Sequence, residues 1–266
     1  MRSLFDAARA SLDAASPDDK VALTFEAAAA WSAGDLAIPP HAAAPGPIRM
    51  PGRPAVPKLV HPRELSKRGL GSSEGRAAFV HSIAHIELNA IDLAWDAVYR
   101  FRGLPRDYYA DWVSVANDEA RHFVLLRDRL RSLGQDYGDF DAHNGLWEMA
   151  EKTAHDGLAR MALVPRVLEA RGLDVTPAMI VKLRALGDEA TATILETILR
   201  EEVAHVAAGS RWFRWYCARE GADPCSRFRE LLDDYARGSL RGPFNRQARL
   251  AAGFDTEEIS MLERLG

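Results

Sequence analysis

Two Glu-x-x-His motifs lie on the apolar stripes of two long helical segments, and few folds tolerate that arrangement. They are Glu119-Ala-Arg-His122 and Glu202-Val-Ala-His205. Side chains three apart share one helical face. The first stripe reads Trp112, Val115, Glu119, His122, Leu126, Leu130 and Leu133. The second reads Leu195, Ile198, Glu202, His205, Gly209, Trp212 and Tyr216. A carboxylate or imidazole facing a core is costly unless it is paired or bound to a metal. Finding such pairs at matched places on two helices therefore asks for a ligand.

The spacing upstream strengthens this reading. Glu87 precedes Glu119 by 32 residues, and Glu169 precedes Glu202 by 33. The pattern of a lone Glu followed by Glu-x-x-His thus occurs twice. Carboxylates and imidazoles without thiolates suit iron or manganese. Bundles that hold two such metals draw this donor set from four inward-facing helices. The expected metal ligands are Glu87, Glu119, His122, Glu169, Glu202 and His205, with two iron ions, or manganese, as the cofactor.

Competing residues surround two of these positions. His85 stands two residues before Glu87 and so points roughly opposite, while His81 and His85 share the face of Leu88 and Asp92. His85 is expected to be a packed or surface histidine. On the third helix Glu151, His155, Leu158, Ala162, Pro165 and Glu169 form one stripe. Glu169 has the matching spacing, and Glu148, Glu151 or His155 could replace it under another register. Pro165 should loosen the turn before Glu169. The acids just before each motif, Asp118 and Glu201, are candidates to orient His205 and His122, because a ligating histidine usually gives its second ring proton to a carboxylate.

The helix punctuation places these residues. Residues 3 to 34 read as two helical pieces broken near Ser16-Pro17-Asp18, with Ser16 or Asp18 as a cap. Eight prolines between positions 37 and 62 exclude regular helix or a central strand there and leave an extended, wrapping segment or a linker. Four long helices are expected over about 73–101, 107–133, 146–171 and 188–219. Gly134 and Gly172 should end the second and third, and a short helix should start at Thr176-Pro177. One further helix and the basic stretch Leu240 to Arg249 close the chain. The fold class is all-α, an antiparallel four-helix bundle over residues 73–220 with extensions over 1–72 and 221–266.

Composition limits the partners. A formal net charge of −4 calls for neither nucleic acid nor an anionic membrane, and no window approaches a membrane span. Two cysteines, Cys217 and Cys225, read as reduced thiols. With no stretch of signal-peptide length at the N-terminus, the cytoplasm is the expected location. The run Arg211-Trp-Phe-Arg-Trp-Tyr216 mixes stacking and cationic residues, and its expected role is helix packing.

Four stretches carry a family resemblance: Arg76 to Glu87, Asp118 to His122, Leu163 to Asp174 and Arg200 to His205. There the chain resembles the ferritin-like superfamily, and more closely a bacterial family within it that carries only a domain-of-unknown-function label. The resemblance covers roughly residues 50 to 254, including Pro51-Gly-Arg-Pro54 and Arg241-Gly-Pro-Phe-Asn245. A looser similarity is to the MiaE-type tRNA hydroxylases, whose second motif is Glu-Ala-Arg-His where this chain has Glu-Glu-Val-Ala-His. The resemblance implies one iron on Glu87, Glu119 and His122 and the other on Glu169, Glu202 and His205, with Glu119 and Glu202 bridging. Open coordination sites on reduced iron permit O₂ binding, so the expected function is that of an O₂-activating oxidase or hydroxylase acting on a small organic substrate. Iron handling without an organic substrate, as in ferritins, and a MiaE-like tRNA hydroxylase are the alternatives. A homodimer is compatible with either reading, and the electron donor is left open.

Overall fold

The computed structural model describes residues 2–41, 43–66, 68–238 and 240–266. They are overwhelmingly helical, so the chain is all-α apart from two-residue strands β1 (Arg2–Ser3) and β2 (Leu36–Ala37), which pair in parallel. The chain divides into two compact units at Glu148 and Met149. No helix among the described residues is long and apolar enough to cross a membrane.

The first unit is built on a helical hairpin. Helices α1 (Leu4–Asp13) and α2 (Pro17–Ser32) precede α3 (Ser73–Arg100) and α4 (Arg106–Ser132). Ser16 caps α2 and Ser72 caps α3, each accepting a backbone N–H with its hydroxyl. Leu133 and then Gly134, in a left-handed conformation, end α4. The expected positions of these helices hold to within a residue or two.

Nearly the whole middle of α3 is buried, from Glu87 to Val98. One-sided amphipathicity therefore does not describe it. Helix α4 packs along it, and α1 also packs against it. Trp95 donates its indole N–H to Thr24 of α2 at 2.9 Å.

A buried ion pair ties these elements together. Lys20 Nζ meets Asp92 Oδ1 at 2.5 Å, with both side chains essentially inaccessible. The same ammonium donates to the carbonyls of Ser11 and Leu12 at the end of α1, so one cation binds α1 and α2 to α3. Arg53 also approaches Asp92, at 3.6 Å, and donates to Asn89 at 2.5 Å. It comes from the proline-rich segment, which is extended and makes further ties: Gly46 N–H donates to the Tyr99 hydroxyl, Trp147 to the carbonyl of Arg49, and Leu59 bridges Ala142.

The second unit departs from the expected helix pattern. A single helix over 146–171 does not form. Instead α5 (Gly145–Lys152) ends, α6 (Gly157–Leu163) starts anew with Asp156 as its cap, and a π-helical turn, Val164–Glu169, leads into α7 (Ala170–Ala185). Gly172 does not stop a helix, and Thr176-Pro177 does not start one, because both lie inside α7. Proline removes one amide donor and crowds the preceding turn. At Pro165 that defect is absorbed by widening the helix, and at Pro177 α7 runs on with the proline in its interior.

Helix α8 (Glu189–Glu220) is capped by Asp188 and closed by Gly221 in a left-handed conformation. It packs against α7, the π turn and α6. The C-terminal part contains α9 (Pro224–Tyr235), α10 (Arg246–Ala251) and α11 (Thr256–Leu265), where one helix was expected. The basic stretch is anchored within this unit: Arg249 makes two hydrogen bonds to buried Asp174 of α7, at 2.9 and 2.7 Å.

The Lys20–Asp92 pair yields a stability prediction. Lys20→Met should lower the unfolding free energy in urea titration by about 3–5 kcal/mol, towards the lower end because Arg53 remains near Asp92. The double variant Lys20→Met with Asp92→Leu should recover most of the loss, since an apolar pair of similar volume replaces a buried ion pair at little penalty.

Candidate metal centre

Helices α3 and α4 bring three of the expected ligands into contact. Glu87 projects from the middle of α3, and Glu119 and His122 from one face of α4. All three are buried, with His122 fully inaccessible. The Nδ1 of His122 lies 3.3 Å from Glu119 Oε2 and 3.4 Å from Glu87 Oε2. One donor atom from each of the three falls within 4.8 Å of the others, a group that could hold a metal ion.

The electrostatics follow from this geometry. Burial alone pushes the His122 imidazole down, but hydrogen bonds and charge from Glu119 and Glu87 outweigh it, pushing its pKa up to about 11. A proton on His122 therefore answers the two carboxylates. A cation held by the same atoms would replace that proton and let the neutral imidazole ligate.

The second unit holds a similar pair. Glu202 and His205 are buried on α8, and His205 Nδ1 lies 3.5 Å from Glu202 Oε1. Glu169 is half-buried at the last position of the π turn. Glu148 and Glu151 lie on the exposed side of α5, and His155 is exposed in the turn after it. With the third helix broken at that turn, the stripe expected from Glu151 to Glu169 does not exist. The three competitors thus face solvent, while Glu169 is the more enclosed carboxylate. Asp118 accepts a hydrogen bond from Arg121 of its own helix at 2.7 Å, and Glu201 lies 3.7 Å from Arg200.

Residues 13–260 match the family described as Protein of unknown function (DUF455). The chain belongs to this family. A protein from Haemophilus influenzae (strain ATCC 51907 / DSM 11121 / KW20 / Rd), described as uncharacterized, is similar to this DUF455 chain. It is 45% identical over 216 residues, which cover 79% of this chain and 75% of that protein. No solved structure matches.

Both histidines beside Glu87 are packed in this DUF455 chain, as expected for His85. The His85 ring is engaged at both nitrogens: Nδ1 with the Tyr137 hydroxyl at 2.8 Å and Nε2 with the carbonyl of His143 at 3.0 Å. A carbonyl only accepts, so the contact with His143 requires the proton on Nε2; the Asn89 amide nitrogen, 3.1 Å from the same Nε2, then donates to the backbone carbonyl of His85 at 2.6 Å. His81 accepts from Gly138 N–H at 3.0 Å through Nε2 and stacks on Tyr137. The ring of Phe123, next to His122 in sequence, meets Tyr137 edge-on. This layer of rings was not legible as a unit in the sequence, because Tyr137 and His143 come from a loop. The run at 211–216 is largely packing too. Trp212 and Phe213 are buried, and Arg214 is held by the carbonyl of Gly253 and by Glu258.

The π turn and α8 meet closely at Gly209. A Cβ there would lie 2.3 Å from Pro165 Cγ. Glycine to alanine in a helix ordinarily gains about 1 kcal/mol. Here Gly209→Ala should instead destabilise by about 1–3 kcal/mol, because overpacking forces the proline or the helix to move. Urea unfolding of the two chains checks the sign.

His81 provides a pH prediction. Burial holds its pKa down at about 4, only partly opposed by Asp139. In the unfolded chain it would titrate near 6.5, so between those values the unfolded state binds more protons. The stability associated with neutral His81 should be present above about pH 6.5 and be lost as pH falls towards 4. Replacing His81 with glutamine should flatten that part of the stability–pH curve, measured by chemical denaturation at fixed pH steps.

Proposed function

We propose that this chain is a ferritin-like di-metal carboxylate protein, with a four-helix bundle formed by the two helical hairpins and two iron ions held by Glu87, Glu119, His122, Glu169, Glu202 and His205. The observation that carries this reading is the buried contact of His122 with two carboxylates from two helices. It is supported by the recurrence, on α8, of a buried Glu202–His205 pair with Glu169 preceding it. Each hairpin thus contributes one lone Glu and one Glu-x-x-His, the donor set that di-iron and di-manganese bundles use. Oxygen and imidazole donors without thiolate favour iron or manganese, and six protein donors leave positions open on two ions. Manganese is the rival metal, distinguished by X-ray absorption edges.

In the proposed reaction, reduced iron would supply the power to activate O₂, with oxidation or hydroxylation of a small organic molecule as the outcome. The chain's own part is to bury the donors and orient them. Glu119 and His122 occupy one helical face and so are fixed relative to each other. Glu87 is held by a helix enclosed on every side over its middle. Asp118 and Glu201 remain candidates for orienting the ligating histidines. An electron donor is required and is proposed to be a separate protein or small reductant.

Protein purified from iron-supplied cells should contain about two iron ions per chain. His122→Ala and His205→Ala should each lower that content to about one or less while the far-UV circular dichroism stays helical. Less than about half an iron or manganese per wild-type chain would overturn the reading. Consumption of O₂ by the ferrous protein at a fixed metal content supports oxidase or hydroxylase chemistry. Growth of a large iron load on a shell-sized assembly would move the function to iron handling.

A further inference from the structure

The π turn that carries Glu169 is fastened by the C-terminal helix. Arg166 lies inside this turn and is completely buried. Its Nη2 donates to Glu258 Oε1 at 2.6 Å, and Glu258 is equally inaccessible. The guanidinium is surrounded by Phe213 of α8, Phe228 of α9 and Phe254, with its central carbon 4.3–4.5 Å from each ring centroid.

Glu258 is itself held. Its other oxygen accepts from Asp255 N–H at 3.0 Å, as part of the α11 capping box, and from Arg214 at 3.3 Å. Both carboxylate oxygens therefore have donors from separate places. On the other side, Pro165 is seated on Gly209. The turn is gripped at two successive residues, three and four positions before Glu169.

This arrangement is unusual for a packing role alone. A buried Arg–Glu pair is seldom a net gain over an apolar pair of the same volume, but it is directional. A π turn is rare inside helices and frequent at functional sites, and a carboxylate at its end is aimed only as well as the turn is held. We propose that Glu258 and Arg166 are positioning residues for the metal centre: together they set the π turn, and through it the direction of the Glu169 carboxylate. The inference rests on the di-metal reading, in which Glu169 is a ligand.

The test uses the full-length chain loaded with cobalt(II), whose visible absorption and circular dichroism report ligand geometry. Glu258→Gln should stay helical, weaken one of the two cobalt equivalents by roughly tenfold or more, and alter its spectrum. Amide exchange over residues 164–170 should quicken in the same variant. Glu257→Gln, an exposed neighbour, should change none of these. Glu258→Gln leaves Arg166 buried without its carboxylate and could unfold the C-terminal helices. The double variant Arg166→Met with Glu258→Met avoids that lone charge, and it should fold yet show the same spectral change, since methionines do not aim the turn.

If the wild type binds two cobalt ions and both variants match it in affinity and spectrum, the positioning role is overturned and the di-metal reading stands. If the wild type binds no cobalt, both are overturned together.

Discussion

A fully buried histidine lying between two buried carboxylates is the constraint on which the rest of this structure depends. Removing such groups from water is expensive, and only a proton or a cation among them makes the burial tolerable. His122, Glu119 and Glu87 meet this condition with two helices and no loop. The positions of these three side chains are therefore set by helical geometry, which is stiffer than a loop.

The surroundings are built to keep that group dry and still. Helix α3 is packed by α4 and α1, and α2 reaches it through Lys20 and Thr24. The Lys20–Asp92–Arg53 network supplies charge complementarity where the enclosing segments would otherwise bury an acid alone. The proline-rich segment takes part through backbone and side-chain hydrogen bonds, for which an extended chain with its polar groups free of internal pairing is suited. His81, His85 and Tyr137 fill the next layer as neutral, hydrogen-bonded rings.

The second unit solves a different problem. Its Glu169 sits at the end of a π turn, and no regular helix would tolerate Pro165 there without losing a backbone bond. The turn's irregularity is offset by two specific contacts, Pro165 on Gly209 and Arg166 on Glu258. Distant parts of the chain, near residues 209 and 258, thereby acquire influence over one carboxylate.

Much of the candidate site was legible from sequence because helical periodicity is local. Three-residue spacing puts Glu119 with His122 and Glu202 with His205 on shared faces whatever the fold, and the 32-residue interval points to Glu87, which the fold brings to His122. The cap at Ser16 likewise acts through adjacent backbone. The break after α5, the passage of α7 through Gly172 and Pro177, and the three C-terminal helices were decided by tertiary packing. There, contacts such as Arg249 with Asp174 outweigh weak local preferences for stopping. That His81 and His85 are packed and engaged, that Lys20 finds Asp92 seventy-two residues away, and that Arg166 finds Glu258 ninety-two residues away depend on which faces the folded chain brings together. Spacing along a chain carries no information on such pairings, because their energy exists only once both partners have been removed from water.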